Sequence, residues 1–216
     1  MMNIKNKLIV SIIDEPFETV IELAKKYKQI ELRLSQLVLA NEEVINIINA
    51  ADLVVITDIA ELEDGNIFHK INLNSVIEKI IIDCPIDKIK SKKLLKYIDN
   101  HDIKKIFSYH NISYTSDIFL SILEKNSIKI NKNDIIKIAV EMESIAMVYE
   151  LFSIFDKYLD YNLILIPLGK KFQRWRVKSL ELGSKYMFCY IHNPVTDCQL
   201  HYMEYFFIHN NLLFVF

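Results

Sequence analysis

Glycine is nearly missing from this chain, with three residues in 216. Loops that cradle phosphates need glycine where the backbone must approach the ligand. "LGKKF" carries one glycine and is no such loop. Cysteine is equally scarce. Cys84, Cys189 and Cys198 are too few for a disulfide framework and lack metal-ligand spacing. A reducing, cytoplasmic setting is the natural expectation. Charge of one sign is lacking too: the net charge of −2 gives no drive toward nucleic acid or an anionic membrane. No apolar run reaches spanning length. The first run, in "MMNIKNKLIVSIIDEP", is too short and lacks the small-residue cleavage site of a signal peptide.

What is present is hydrophobic and periodic. Half of the residues are hydrophobic and a quarter are charged, the composition of a folded domain. Eight short runs read as strands: "KLIVSII", "QIELRLS", "DLVVIT", "KIIIDCP", "KKIFSYH", "DIIKIAV", "NLILIPL" and "KYMFCYI". Their Ile, Val and Leu content suits strands buried on both faces, hence parallel. Between them lie amphipathic segments with apolar residues three and four apart: "FETVIELAKKY", "NEEVINIINA", "SKKLLKYIDN", "TSDIFLSILEKN" and "ESIAMVYELFSIFDKY". Thr115 and Ser116 make a helix cap for the fourth of these. The basic stretch "GKKFQRWRVK" reads as a solvated loop or an anion-binding one. Alternation over eight units predicts a compact (β/α)8 TIM barrel over residues 1–216, a single α/β domain. Residues 200–216 would supply a closing helix and an apolar tail. A doubly wound open sheet is the alternative, but the loop after its first strand, "DEPFE", has no glycine.

Parallel barrels do chemistry at the C-terminal ends of their strands. Several strands here carry polar residues: Ser11 in the first, Glu31 and Arg33 in the second, Ser108 and His110 in the fifth, and Lys137 among isoleucines in the sixth. Arg174 and Arg176 follow the seventh. Residues two apart share a face. An ammonium among isoleucines is costly unless it is paired or neutral. Two readings of Lys137 therefore stand, a structural ion pair with Glu31 or a nucleophile. A lysine in an apolar pocket near other cations favours the neutral amine, which attacks a ketone to give a Schiff base. A histidine beside it moves protons, and arginines hold a carboxylate.

Taken in order, these segments resemble type I 3-dehydroquinate dehydratase, the Schiff-base enzyme of the shikimate pathway. "LIVSII" is similar to its first strand, with Ser11 at a substrate-contacting serine. "IELRLS" resembles E-x-R-x-D, "IFSYHNISYT" resembles S-x-H-x-x-x-x-T-P, and "DIIKIAV" is similar to the lysine segment. "LGKKFQRWR" resembles M-G-x-x-G-x-x-S-R, and "LGSKYMF" carries the G-S before the last strand. "VTDCQ" lines up with the flap S-A-P-G-Q. The resemblance implies Lys137 as the imine-forming residue, His110 as general acid/base and Glu63 as its orienting glutamate. It also implies substrate binding by Ser11, Glu31, Arg33, Arg176 and Gln199. It implies a small carboxylate as substrate and neither metal nor diffusible cofactor. The chain departs from the pattern at Ser35, Ile59, Trp175, Val195, Asp197 and Cys198. Those departures leave an aldolase-like Schiff-base enzyme and an impaired binding homologue as alternatives. A homodimer is a possible partner state. "NNLLFVF" also raises a fused shikimate dehydrogenase domain in a longer chain.

Overall fold

A computed structural model describes residues 4–58, 76–86, 92–111, 130–131 and 133–212. Its eight strands are β1 Leu8–Ile12, β2 Gln29–Arg33, β3 Leu53–Thr57, β4 Ile80–Pro85, β5 Lys104–Asn111, β6 Ile135–Glu141, β7 Asn162–Leu168 and β8 Met187–Cys189. The described helices are α1 Phe17–Tyr27, α2 Asn41–Ala50, α3 Lys92–Asn100, α4 Ile145–Lys157, α5 Gln173–Leu182 and α6 Tyr202–Leu212. All neighbouring strands pair in parallel, in the order β7-β6-β5-β4-β3-β2-β1-β8. The chain is a (β/α)8 barrel. No helix among the described residues is long and apolar enough to cross a membrane. Thr115, Ser116 and the helical segment they would cap lie outside the described residues.

The barrel closes between β7 and β8 without a full ladder. Lys185 N–H donates to Leu163 O at 2.8 Å. Beside it, two buried serines serve the β7 backbone. Ser184 Oγ accepts from Leu165 N–H at 3.0 Å, and Ser179 Oγ donates to Leu165 O at 2.6 Å. The two hydroxyls also lie 2.8 Å apart. Side chains thus satisfy the backbone groups of Leu165 where no strand pairs with them.

One sequence expectation is corrected here. "GKKFQRWRVK" is not a loop: a short 3₁₀ turn at Lys170–Phe172 leads into α5. The buried positions of α5 are Arg176, Val177, Ser179 and Leu180. Two of these four are polar, which hid the helical stripe from a hydrophobicity reading.

The strand register sets the interior. Asp83 lies opposite Ile106, and Ile106 lies opposite Ile135. Lys137, two residues beyond Ile135, nevertheless reaches back to Asp83. The register therefore steps by two residues for every two strands. That step stacks inward side chains in layers drawn from alternate strands.

A candidate active site built on a layer of the barrel

The even strands place Glu31, Asp83, Lys137 and Phe188 in one layer. Lys137 Nζ donates to Asp83 Oδ2 and sits over the Phe188 ring, 4.7 Å from its centroid. Asp83 and Lys137 are buried, and so is Glu31. Each odd strand then supplies one residue above this layer and one below. Above, toward the C-terminal mouth, stand Ser11, Thr57, Ser108 and Ile166. Below stand Ile9, Val55, Ile106 and Ile164, all fully buried. The polar layer thus has hydroxyls over it and an apolar floor beneath it.

The β8–α6 segment reaches the edge of this layer. Gln199 Nε2 donates to Ser11 Oγ at 3.0 Å, and Ser11 lies opposite Glu31 in the β1–β2 ladder. Burial raises the Glu31 carboxyl above the ordinary glutamate range; Lys137, the Ser11 hydroxyl and Arg33 offset part of this, while Asp83 adds to it. The ion pair of Lys137 is therefore with Asp83, and Glu31 is its second, weaker electrostatic neighbour. Two buried polar atoms beside Lys137, Asp83 Oδ1 and Ser108 Oγ, have no hydrogen-bond partner among the described residues. Such atoms are rare in a settled core. Here one belongs to the carboxylate that holds the amine, and the other lies opposite Lys137 in the β5–β6 ladder.

The other candidate residues lie at different distances from this layer. His110 is two residues further out along β5 than Ser108, on the same face and exposed. Arg33 is at the rim of β2. It donates to Asp58 Oδ1 at 3.2 Å and to Gln36 Oε1 at 3.0 Å. Asp58 takes the left-handed conformation, φ 63°, just past β3, where it also accepts from Ser35 Oγ at 2.9 Å. Arg176 is buried on α5. Its Nε donates to Pro167 O at 3.4 Å, and a terminal nitrogen reaches Cys198 Sγ at 3.0 Å. In this arrangement the guanidinium fastens the β8–α6 segment to α5 and the end of β7. Glu63 and Ile59 lie outside the described residues.

Asp83 is the residue that the sequence reading passed over. Its signal was there: one acid in "IIIDCP", the same kind of interruption that marked Lys137. Burial pushes the Cys84 and Cys189 thiols well above their ordinary range, which makes both poor nucleophiles.

Fold and site together define a (β/α)8 barrel centred on an interior lysine–carboxylate layer. No family model and no curated protein matches the chain. Among solved structures it is similar to the 3-dehydroquinate dehydratase of Aquifex aeolicus VF5, at 20% identity and TM-score 0.71, covering 95% of this chain and 98% of that one. It is similar to the type I enzyme of Clostridium difficile, solved with covalently modified comenic acid, at 19% and 0.69, covering 98% and 94%. The Geobacillus kaustophilus 3-dehydroquinate dehydratase follows at 14% and 0.72, covering 97% and 91%. At these identities the likeness is one of fold.

Proposed function

We propose that this protein is a lyase that dehydrates 3-dehydroquinate to 3-dehydroshikimate through a Schiff base on Lys137. The observation that carries the reading is Lys137 itself: an interior amine on β6, held by Asp83, with two unsatisfied polar atoms beside it. The fold it shares with 3-dehydroquinate dehydratases and the motif resemblance support the choice of substrate.

In this mechanism Asp83 takes a proton from the Lys137 ammonium, and the amine adds to the ketone carbon. Loss of one water gives the protonated imine. His110 removes a proton from the adjacent carbon, leaving an enamine. The hydroxyl on the next carbon departs as water with a proton returned by His110. Hydrolysis of the imine consumes one water and frees Lys137, so the net change is loss of one water. Glu63 orients His110. Glu31 and Arg33 hold substrate hydroxyls or steady Lys137, Ser11 contacts substrate, and Arg176 and Gln199 bind the carboxylate.

Borohydride trapping tests the reading. Protein mixed with 3-dehydroquinate and reduced should gain a ligand-sized mass on the peptide carrying Lys137. A folded sample with no increment would sink the proposal. A second reading rests on Arg176, whose guanidinium is engaged by Cys198. A barrel without that carboxylate grip would suit a different ketone in an aldolase-like reaction. Trapping with simple ketones and ketoses but not with 3-dehydroquinate would select it.

A further inference from the structure

Helices α4 and α5 run side by side on the outside of the barrel, and a cavity of about 580 Å3 lies between them. That volume falls within the range of small-molecule sites. Phe152 and Phe155 form its buried floor. Trp175 is tilted against Phe152, with ring centroids 6.3 Å apart, and stands edge-on to Tyr149 at 5.4 Å. The walls thus offer both ring faces and ring edges to a planar apolar body. A gap of this size in ordinary helix packing would be filled by side chains.

The charges on the rim are uneven. Arg174 and Lys178 lie one turn apart on α5 and so on one side of the opening. Lys178 already shares its charge with Glu181 at 3.3 Å. Arg174 is exposed, and no ion pair holds it among the described residues. Asp156, on α4, is the acid of the lining. One uncommitted guanidinium beside an aromatic floor suits a ligand with a single negative charge, and the acid disfavours a second.

We propose that this cavity binds a small aromatic monoanion. Its ring system lies against Phe152 and Trp175, and its carboxylate or sulfonate lies on Arg174. The proposal does not depend on the chemistry of Lys137.

Trp175 is the only tryptophan in the chain, so protein labelled with 5-fluorotryptophan gives one fluorine resonance that reports on this cavity alone. Titration with 2-naphthoate should shift that resonance saturably. The neutral isostere 2-naphthamide should bind at least about fivefold more weakly, and Arg174→Gln should bring acid and amide to similar affinity. Absence of a saturable shift would overturn the proposal. So would equal binding of acid and amide to the unaltered chain, which would mark the gap as a neutral apolar groove. That comparison needs no variant and decides the matter even if Arg174→Gln fails to fold.

Discussion

Lys137 and Asp83 hold each other in the barrel interior, and each alone would be a buried, uncompensated charge. Lys137→Met should therefore abolish trapping and also destabilise the fold by about 3–5 kcal/mol. Adding Asp83→Asn should recover much of that loss, and urea unfolding of the single and double variants measures it. Equal stability of the parent and Lys137→Met would contradict the pairing. Glu31 makes the opposite case. Its carboxyl is raised by burial, so the folded state binds the proton more tightly than the unfolded chain. The resulting stability is fully present below the ordinary glutamate value of 4.5 and is lost as pH rises through the folded value. Glu31→Gln should be more stable than the parent at neutral pH and lose that advantage below about pH 4. Parallel stability curves across that range would refute the point. At this scale the sequence was half legible. A lone lysine in "DIIKIAV" and a lone glutamate in "IELRLS" announce themselves against isoleucine and leucine. Which carboxylate meets the amine does not, because the partner is chosen by a register step across β5, between strands far apart in the chain. Arg176 shows the same limit. The sequence marks it as a cation after the seventh strand, but its contacts with Cys198 and Pro167 follow from the turn of α5, which was not legible.

Among the elements, strands were easy to read and the basic helix was not. A strand buried on both faces is a run of Ile, Val and Leu, and all eight runs are strands. Helices α1 and α2 coincide with their predicted segments because their buried faces are wholly apolar. Helix α5 was missed because its buried face includes Arg176 and Ser179. Those polar residues sit there for reasons beyond the helix itself: Ser179 works with Ser184 to close the seam at β7. Ser184→Ala should leave Leu165 N–H buried without a partner and cost about 1–3 kcal/mol. The change would appear as a lower urea midpoint with an unchanged slope. An unaltered midpoint would mean that the seam is held elsewhere. The two glycines among the described residues sit where backbone geometry demands them. Gly169 at the end of β7 has φ 101°, and Gly183 after α5 has φ 137°.

On the scale of the whole molecule, the β8–α6 segment is fastened at several points. Gln199 holds Ser11, Arg176 holds Cys198, His192 meets Glu15 at 2.8 Å, and Asp197 meets Gln173 and Lys170 at 3.5 Å. Two of these, from Arg176 and Gln173, come from α5, and of the two Arg176 is the buried one. Arg176→Gln should leave the barrel folded but loosen this segment. Amide exchange over residues 190–201 should become about tenfold faster, as loss of one charge-assisted bond predicts. Hydrogen–deuterium exchange by mass spectrometry reads this directly, and unchanged exchange there would show that the guanidinium is not what secures it.

The layer of Ile9, Val55, Ile106 and Ile164 under Lys137 has a consequence for traffic. It stoppers the barrel from below, which makes the interior a flask with one neck. Anything that reaches the amine arrives by the rim and must go back the same way, and so must any water released there. Entry and exit then compete for a single doorway, with the Gln199 segment lying across it. A molecule lodged in that neck would block arrival and departure alike.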